Sequence, residues 1–236
     1  MFAVPCALGG LCVLIFAVSL NDRRLDPADR RPWSLREFVA TFYVDPRQNP
    51  DFTWAFLSRF LLLLGYAFLT TYQTYYLLDR LGSTEAQVPR QVYLGTLVQA
   101  GGIIVASLVG GRLSDRAGRR KPFVAAAAVG YATAMFVIAT ATSFDGFLVG
   151  MAIGGLGFGL YLAVDLALVA DVVSRTENGK DLGVFNIANA LPFALAPAVA
   201  PVILAAGGGN YGVLYAVAGS CALLGAAAIV PVKRVR

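Results

Sequence analysis

The stretch Gly110–Pro122, GGRLSDRAGRRKP, decides how this chain is read. It carries five positive charges (Arg112, Arg116, Arg119, Arg120 and Lys121) and one carboxylate, Asp115. An apolar run of about twenty residues lies on either side, the length that crosses a hydrocarbon core of about 30 Å as a helix. So dense a charged knot is costly in lipid. It is therefore predicted to be the hairpin tip between two membrane-crossing helices.

The rest of the chain agrees. Of its 236 residues, 58% are hydrophobic and 14% charged, against about 45–50% and about 25% in a soluble domain. Seven apolar segments are read: Phe2–Leu20, Trp54–Leu78, Val92–Gly111, Phe123–Thr142, Phe147–Ala170, Val184–Ala206 and Tyr211–Val230. The predicted fold class is all-α, a polytopic membrane helical bundle of about seven transmembrane helices. The first segment reads as a spanning helix and not as a leader, because its arginines follow the apolar run instead of preceding it.

Positive charge is asymmetric. Of the 19 lysines and arginines, 16 fall in alternate loops: 21–53, the knot, 171–183 and the C-terminal tail. The opposite loops hold Arg80 and Arg90, and Arg59 lies within the second segment. Basic loops stay in the cytoplasm, so the N-terminus is expected outside and the C-terminus inside, in a protein of the cell membrane. The net charge of +5 is thereby assigned to orientation and not to nucleic acid. With no histidine, and with Cys6, Cys12 and Cys221 scattered in apolar runs, neither a metal spacing nor a disulfide framework is present. No bound cofactor is expected beyond a coupling ion.

The segment 21–53 reads as a long cytoplasmic linker punctuated by Pro27, Pro32, Pro46 and Pro50. Within it, Trp33–Val39 has apolar residues at helical spacing and could lie on the membrane surface. The organisation is therefore a helix over 1–20, a loop over 21–53 and a six-helix body over 54–236.

In the knot, Gly111, Asp115, Arg116, Gly118, Arg119 and Arg120 stand in the order G-x-x-x-D-R-x-G-R-R. That order resembles the cytoplasmic loop motif of the major facilitator superfamily. In that family the motif joins helices two and three, and often recurs between helices eight and nine. The long loop two helices upstream matches the second copy. The resemblance implies that Phe2–Leu20 corresponds to helix six, 21–53 to the central cytoplasmic loop and the remaining segments to helices seven to twelve. The chain then looks like the C-terminal half of a transporter plus one helix, needing an N-terminal half or a second copy as partner. A looser similarity links Tyr161–Asp171 and Gly179–Pro192 to helices ten and eleven of sugar–cation symporter-like members. The family's use of the loop implies that Asp115 and the glycines lock the cytoplasmic ends of the two halves; from the residues alone, Asp115 could pair with the neighbouring arginines or sit at the positive N-terminal end of a neighbouring helix, or the loop could serve only to fix topology.

Several residues within the spans could carry transport. Asp165, deep in the fifth segment, costs about 2.5–3.5 kcal/mol on insertion scales. With Tyr161 one turn earlier it forms a polar stripe, read either as a proton-coupling or substrate-binding carboxylate or as a structural pair. Arg59 reads first as snorkelling to the cytoplasmic interface, with an ion pair to Asp165 or Asp171 as the alternative. Thr70, Gln73 and Thr74 share a face, and with Gln99 in the third segment they suit either a sugar-like ligand or interhelical hydrogen bonds. Asn186 and Asn189, with Phe193, line a helix interrupted by Pro192, Pro197 and Pro201, a pattern suited to gating or to a bent packing helix. Gly150, Gly154, Gly155, Gly157 and Gly159 include two GxxxG spacings, read as close helix packing.

The leading expectation is secondary active transport of a small polar or sugar-like solute by alternating access, coupled to protons or another cation. Drug or metabolite efflux is the runner-up, and a truncated, non-transporting membrane protein stands beside it. An enzyme is disfavoured, because the chain has no grouped acids, metal cluster or nucleophile elbow.

Overall fold

The computed structural model describes residues 3–20, 34, 35, 47, 49–172 and 178–232, and the side chains of 166–182 fall outside that description. The surface helix expected at Trp33–Val39, most of the 21–53 loop, and the side chains of Asp171, Arg175 and Lys180 therefore lie outside the described residues. Among the described residues there are seven α-helices and no strand. They are α1 (Ala3–Ser19), α2 (Pro50–Tyr75), α3 (Val88–Ala117), α4 (Lys121–Thr140), α5 (Phe144–Val172), α6 (Asn178–Ala206) and α7 (Tyr211–Ile229). Two compact units divide the chain at Val39/Ala40.

The first unit contains α1. It is apolar all round, as suits a helix among lipid or other helices. At 17 residues it covers about 25 Å, a little less than the hydrocarbon core. Six helices, α2–α7, are long and apolar enough to cross a membrane. The expected count of about seven thus resolves into six full-length spans and one shorter apolar helix.

In the second unit, α3 packs on α5, α5 on α4, α4 on α7, α7 on α2, and α2 on α6. That set of pairs is unchanged when α2, α3 and α4 are exchanged for α5, α6 and α7. The body is therefore two three-helix repeats. Because each repeat crosses the membrane an odd number of times, the two are inverted relative to each other. The third helices, α4 and α7, pack together at the back. The second helices, α3 and α6, are at the edges: 11% and 22% of their apolar spans are buried, against 44–56% for the other four. Leu97, Ile104 and Leu108 on α3, and Phe193 and Val202 on α6, are exposed.

Glycine sets the α3/α5/α4 spacing. A Cβ on Gly159 would stand 2.5 Å from the Ile103 carbonyl, and one on Gly155 would overlap the Gln99 carbonyl. On the other side of α5, a Cβ on Gly157 would stand 2.6 Å from the Tyr131 amide. The Gly155/Gly159 GxxxG spacing thus lets α5 sit in direct backbone contact with α3, and Gly157 does the same with α4.

The basic knot is mostly helix. The segment predicted to end at Gly111 continues to Ala117, so Arg112, Asp115 and Arg116 ride on the last turns of α3. Gly118 terminates the helix in the left-handed region (φ +58°), with its N–H bonded to the Ser114 carbonyl; this is the conformation that glycine adopts without strain. Pro122 opens the first turn of α4, where no N–H is needed.

Candidate functional site

Consecutive spans alternate in direction, so the start of α2, the end of α5 and the start of α6 share one side of the membrane. Arg59 lies nine residues into α2, Asp165 seven before the end of α5, and Asn189 eleven into α6. At 1.5 Å per residue each is roughly 10–17 Å from its helix end. The three side chains meet at that depth. The Arg59 guanidinium stands 2.7 Å from Asp165 Oδ2, with both side chains about nine-tenths buried. Its Nε–H donates to Asn189 Oδ1 at 2.9 Å, and the Asn189 amide donates to Asn186 Oδ1 at 3.2 Å. The guanidinium carbon lies 5.5 Å from the Phe185 ring centroid, a cation–π contact. Arg59 therefore does not snorkel to the interface: a carboxylate inside the bundle captures it. Of the two partners the sequence offered, the structure brings Asp165.

Seven residues further along α2 is Tyr66; seven residues earlier on α5 is Phe158. Their rings stack at 4.1 Å, 4° from parallel. Two matching steps on antiparallel helices put one contact directly above the other, about 10 Å apart. α2 and α5 come close at only a few positions, and these long side chains fill the space between the first helices of the two repeats. Phe193 of α6 meets Tyr66 edge-on at 6.2 Å and is 43% exposed, so the ladder reaches the open face between α3 and α6. Tyr161 lies between the two rungs on α5. It is buried and faces Asp165 one turn further on.

The other predicted residues divide. Asn186 and Asn189 belong to the ionic cluster. Thr70 donates to its own helix, at the Tyr66 and Ala67 carbonyls. Thr74 is exposed and Gln73 half-buried, and neither joins the cluster. Gln99 is buried on α3, and its amide nitrogen is unpartnered among the described residues. It packs at Gly155, about 15 Å along α5 from Asp165. In the knot, Gly111 is 3.9 Å, measured from an added Cβ, from the Ala163 methyl. The closer contact is at Gly110, where a Cβ would strike Leu160. Asp115, Arg116 and Arg119 are exposed, and no pairing of Asp115 with the arginines is found among the described residues. The reason is geometric: these side chains point outward from the end of α3 into solvent. Arg120 caps α4, its carbonyl accepting from the Phe123 and Val124 amides at 3.1 Å.

One proline on α6 has its consequence met. Pro201 has no N–H for the carbonyl of Pro197, four residues earlier. The Tyr72 hydroxyl of α2 donates to that carbonyl at 3.4 Å. Tyr76 likewise donates at the end of α4, to the Ile138 carbonyl at 2.7 Å, which also accepts from the Ala141 N–H, and to the Ala141 carbonyl at 3.3 Å. Tyr72, Tyr76, Phe158 and Phe185 were not singled out by the sequence. The seven-residue steps Arg59–Tyr66 and Phe158–Asp165 were a legible signal for the ladder.

The family model for the Major Facilitator Superfamily matches residues 55–236. The chain belongs to that superfamily. Its family is one of membrane transporters and not of enzymes, and the chain is an integral membrane protein. Among curated relatives, a probable 4-methylmuconolactone transporter of Cupriavidus pinatubonensis is 37% identical over 128 residues, 52% of this chain and 28% of that protein. The multidrug resistance protein MdtL of Klebsiella pneumoniae is 32% identical over 124 residues, 52% of this chain and 30% of that protein. The inner membrane transport protein YajR of Escherichia coli is 26% identical over 185 residues, 78% of this chain and 35% of that protein. The human organic anion transporter MFSD10 has the same fold, with a TM-score of 0.56 at 23% identity, covering 80% of this chain and 48% of that one. The matched segments thus cover about a third of the length of these sequence relatives.

Proposed function

We propose that this chain forms one half of a proton-coupled secondary transporter for a small organic solute, working by alternating access. In this reading α1 corresponds to helix six and 21–53 to the central cytoplasmic loop. The knot and C-terminus face the cytoplasm, the N-terminus lies outside and the membrane is the cell membrane. The open face of α3 and α6 meets the other half of the fold, supplied by an N-terminal half or a second copy.

The observation that carries the reading is the ion pair between Arg59 and Asp165. It lies inside the membrane span and joins the first helices of two inverted repeats, where solute and coupling-ion sites of such folds are built. An ionisable residue at that depth is costly unless it is paired or used. Asp165 is the group on which a coupling proton would reside. Asn186, Asn189 and the Tyr66–Phe158 rings offer polar and aromatic surface to a solute. That surface suits a sugar-like ligand, while the printed names of relatives favour drugs, a lactone or organic anions. Those names also favour export as the second reading of direction.

The test is reconstitution with the second half of the fold in proteoliposomes under an imposed proton gradient. Gradient-driven solute accumulation is expected, and Asp165→Asn is expected to abolish accumulation while leaving solute exchange. Accumulation that Asp165→Asn leaves intact removes Asp165 from coupling.

A further inference from the structure

Given that transport reading, we propose that Arg59 is the receptor for the carboxylate of an organic anion and that Asp165 occupies this receptor when no anion is bound. A guanidinium is permanently charged and presents a planar fork suited to carboxylates. Two of its nitrogens are engaged, by Asp165 at 2.7 Å and by Asn189 at 2.9 Å. Asn189 and Phe185 fix its plane and leave the Asp165 side as the exchangeable position. Asn186, hydrogen-bonded to Asn189, is exposed, so the cluster reaches the open face.

Charge balance supplies the coupling. In the empty site, Arg59 and Asp165 sum to zero. With Asp165 protonated and an anion on Arg59 they again sum to zero. A proton without the anion leaves +1, and an anion without the proton leaves −1. Either unbalanced state is expensive in a low-dielectric span, so anion and proton enter and leave together. The groups that face Asp165 are Arg59 from α2 and Tyr161 from α5; no charged group of α3 or α4 acts on it among the described residues. A cationic solute would displace Arg59 from Asp165 and leave an arginine that cannot lose its charge. A neutral solute would leave the pair closed and call for no proton. The aromatic rung at Tyr66, Phe158 and Phe193 lies about 10 Å from the guanidinium and gives an apolar body its surface. The solute class is therefore an amphipathic monocarboxylate carried with one proton, an electroneutral pair.

Benzoate, with benzamide as its neutral isostere and benzylamine as the cation, tests this on the purified chain in lipid nanodiscs. Benzoate is expected to bind more tightly as pH falls, by about tenfold per pH unit across the transition, taking up one proton from a weakly buffered solution. Asp165→Asn is expected to remove the pH dependence and hold affinity at its low-pH level. Arg59→Gln is expected to weaken benzoate at least tenfold at every pH; the double variant Arg59→Gln/Asp165→Asn, electrically neutral and checked by its melting curve, is expected to behave the same way. Equal binding of benzoate and benzamide, pH dependence that survives Asp165→Asn, or wild-type benzoate binding by the folded double variant overturns the proposal. Because binding is read without flux, the two readings fail separately. Proton-driven flux with no benzoate binding or competition overturns only the anion receptor, and the binding signature without any flux overturns only the transport reading.

Discussion

Arg59 and Asp165 come from the first helices of two inverted three-helix repeats and meet at 2.7 Å, about nine-tenths buried. Removing one member leaves the other charged and unpaired, which typically costs about 3–5 kcal/mol at a buried pair. Arg59→Gln or Asp165→Leu is therefore expected to lower the melting temperature in detergent more than Arg59→Leu/Asp165→Leu together. Additive losses in the double variant would show that the pair is not coupled.

Helix contact at the α3/α5 seam depends on the missing side chain of Gly159. Gly159→Ala places a methyl 2.5 Å from the Ile103 carbonyl, and the forced separation is expected to cost about 1–3 kcal/mol. Thermal unfolding reads it. Gly101→Ala is the control, since a Cβ there meets nothing within 4 Å.

Tyr76 tests the carbonyl accounting. Its hydroxyl donates to the Ile138 and Ala141 carbonyls; the Ile138 carbonyl keeps the Ala141 N–H, so Tyr76→Phe takes a donor from the buried Ala141 carbonyl and is expected to destabilise by about 1 kcal/mol. Tyr215→Phe is the contrast: its buried hydroxyl has no partner among the described residues, and its loss is expected to be neutral or stabilising.

Orientation has its own test. Cysteine at position 119, just past the left-handed Gly118, and cysteine at position 80, at the end of the π-helical turn Tyr76–Arg80 that continues α2, are expected to react with an impermeant maleimide from opposite sides of the membrane. The background carries Cys6, Cys12 and Cys221 as serine. Labelling of both from the same side contradicts the alternation of spans and the cytoplasmic placement of the knot.

Much of the fold was legible because lipid imposes length. Twenty-residue apolar runs and basic tips suffice to mark the six spans of the second unit, and Gly118 followed by Pro122 marks the hairpin turn. Span ends were less legible: charge at Arg112 seemed to end a helix that continues to Ala117, because a helix leaving the membrane keeps its hydrogen bonds in water. The site was legible as residues but not as an arrangement. Asp165, Asn186 and Asn189 were found from polarity alone. The partner of Arg59 depended on which helices are neighbours, and that follows from inverted-repeat packing and glycine contacts, which no local pattern encodes. Thr70 is less informative for a related reason: a threonine in a helix can donate its hydroxyl to its own backbone, so its polarity alone marks neither a neighbouring helix nor a ligand.

The register between α2 and α5 is the claim on which the site, the coupling and the anion receptor all rest. Cross-linking in membranes with a short bifunctional thiol reagent, matched to the gap that these long side chains fill, measures it directly, in a background where Cys6, Cys12 and Cys221 are serine. The pairs Arg59→Cys/Asp165→Cys and Tyr66→Cys/Phe158→Cys are expected to cross-link. The mismatched pairs Arg59→Cys/Phe158→Cys and Tyr66→Cys/Asp165→Cys, displaced by about 10 Å along the helices, are expected to stay unlinked. Cross-linking of the mismatched pairs in place of the matched ones would contradict the account.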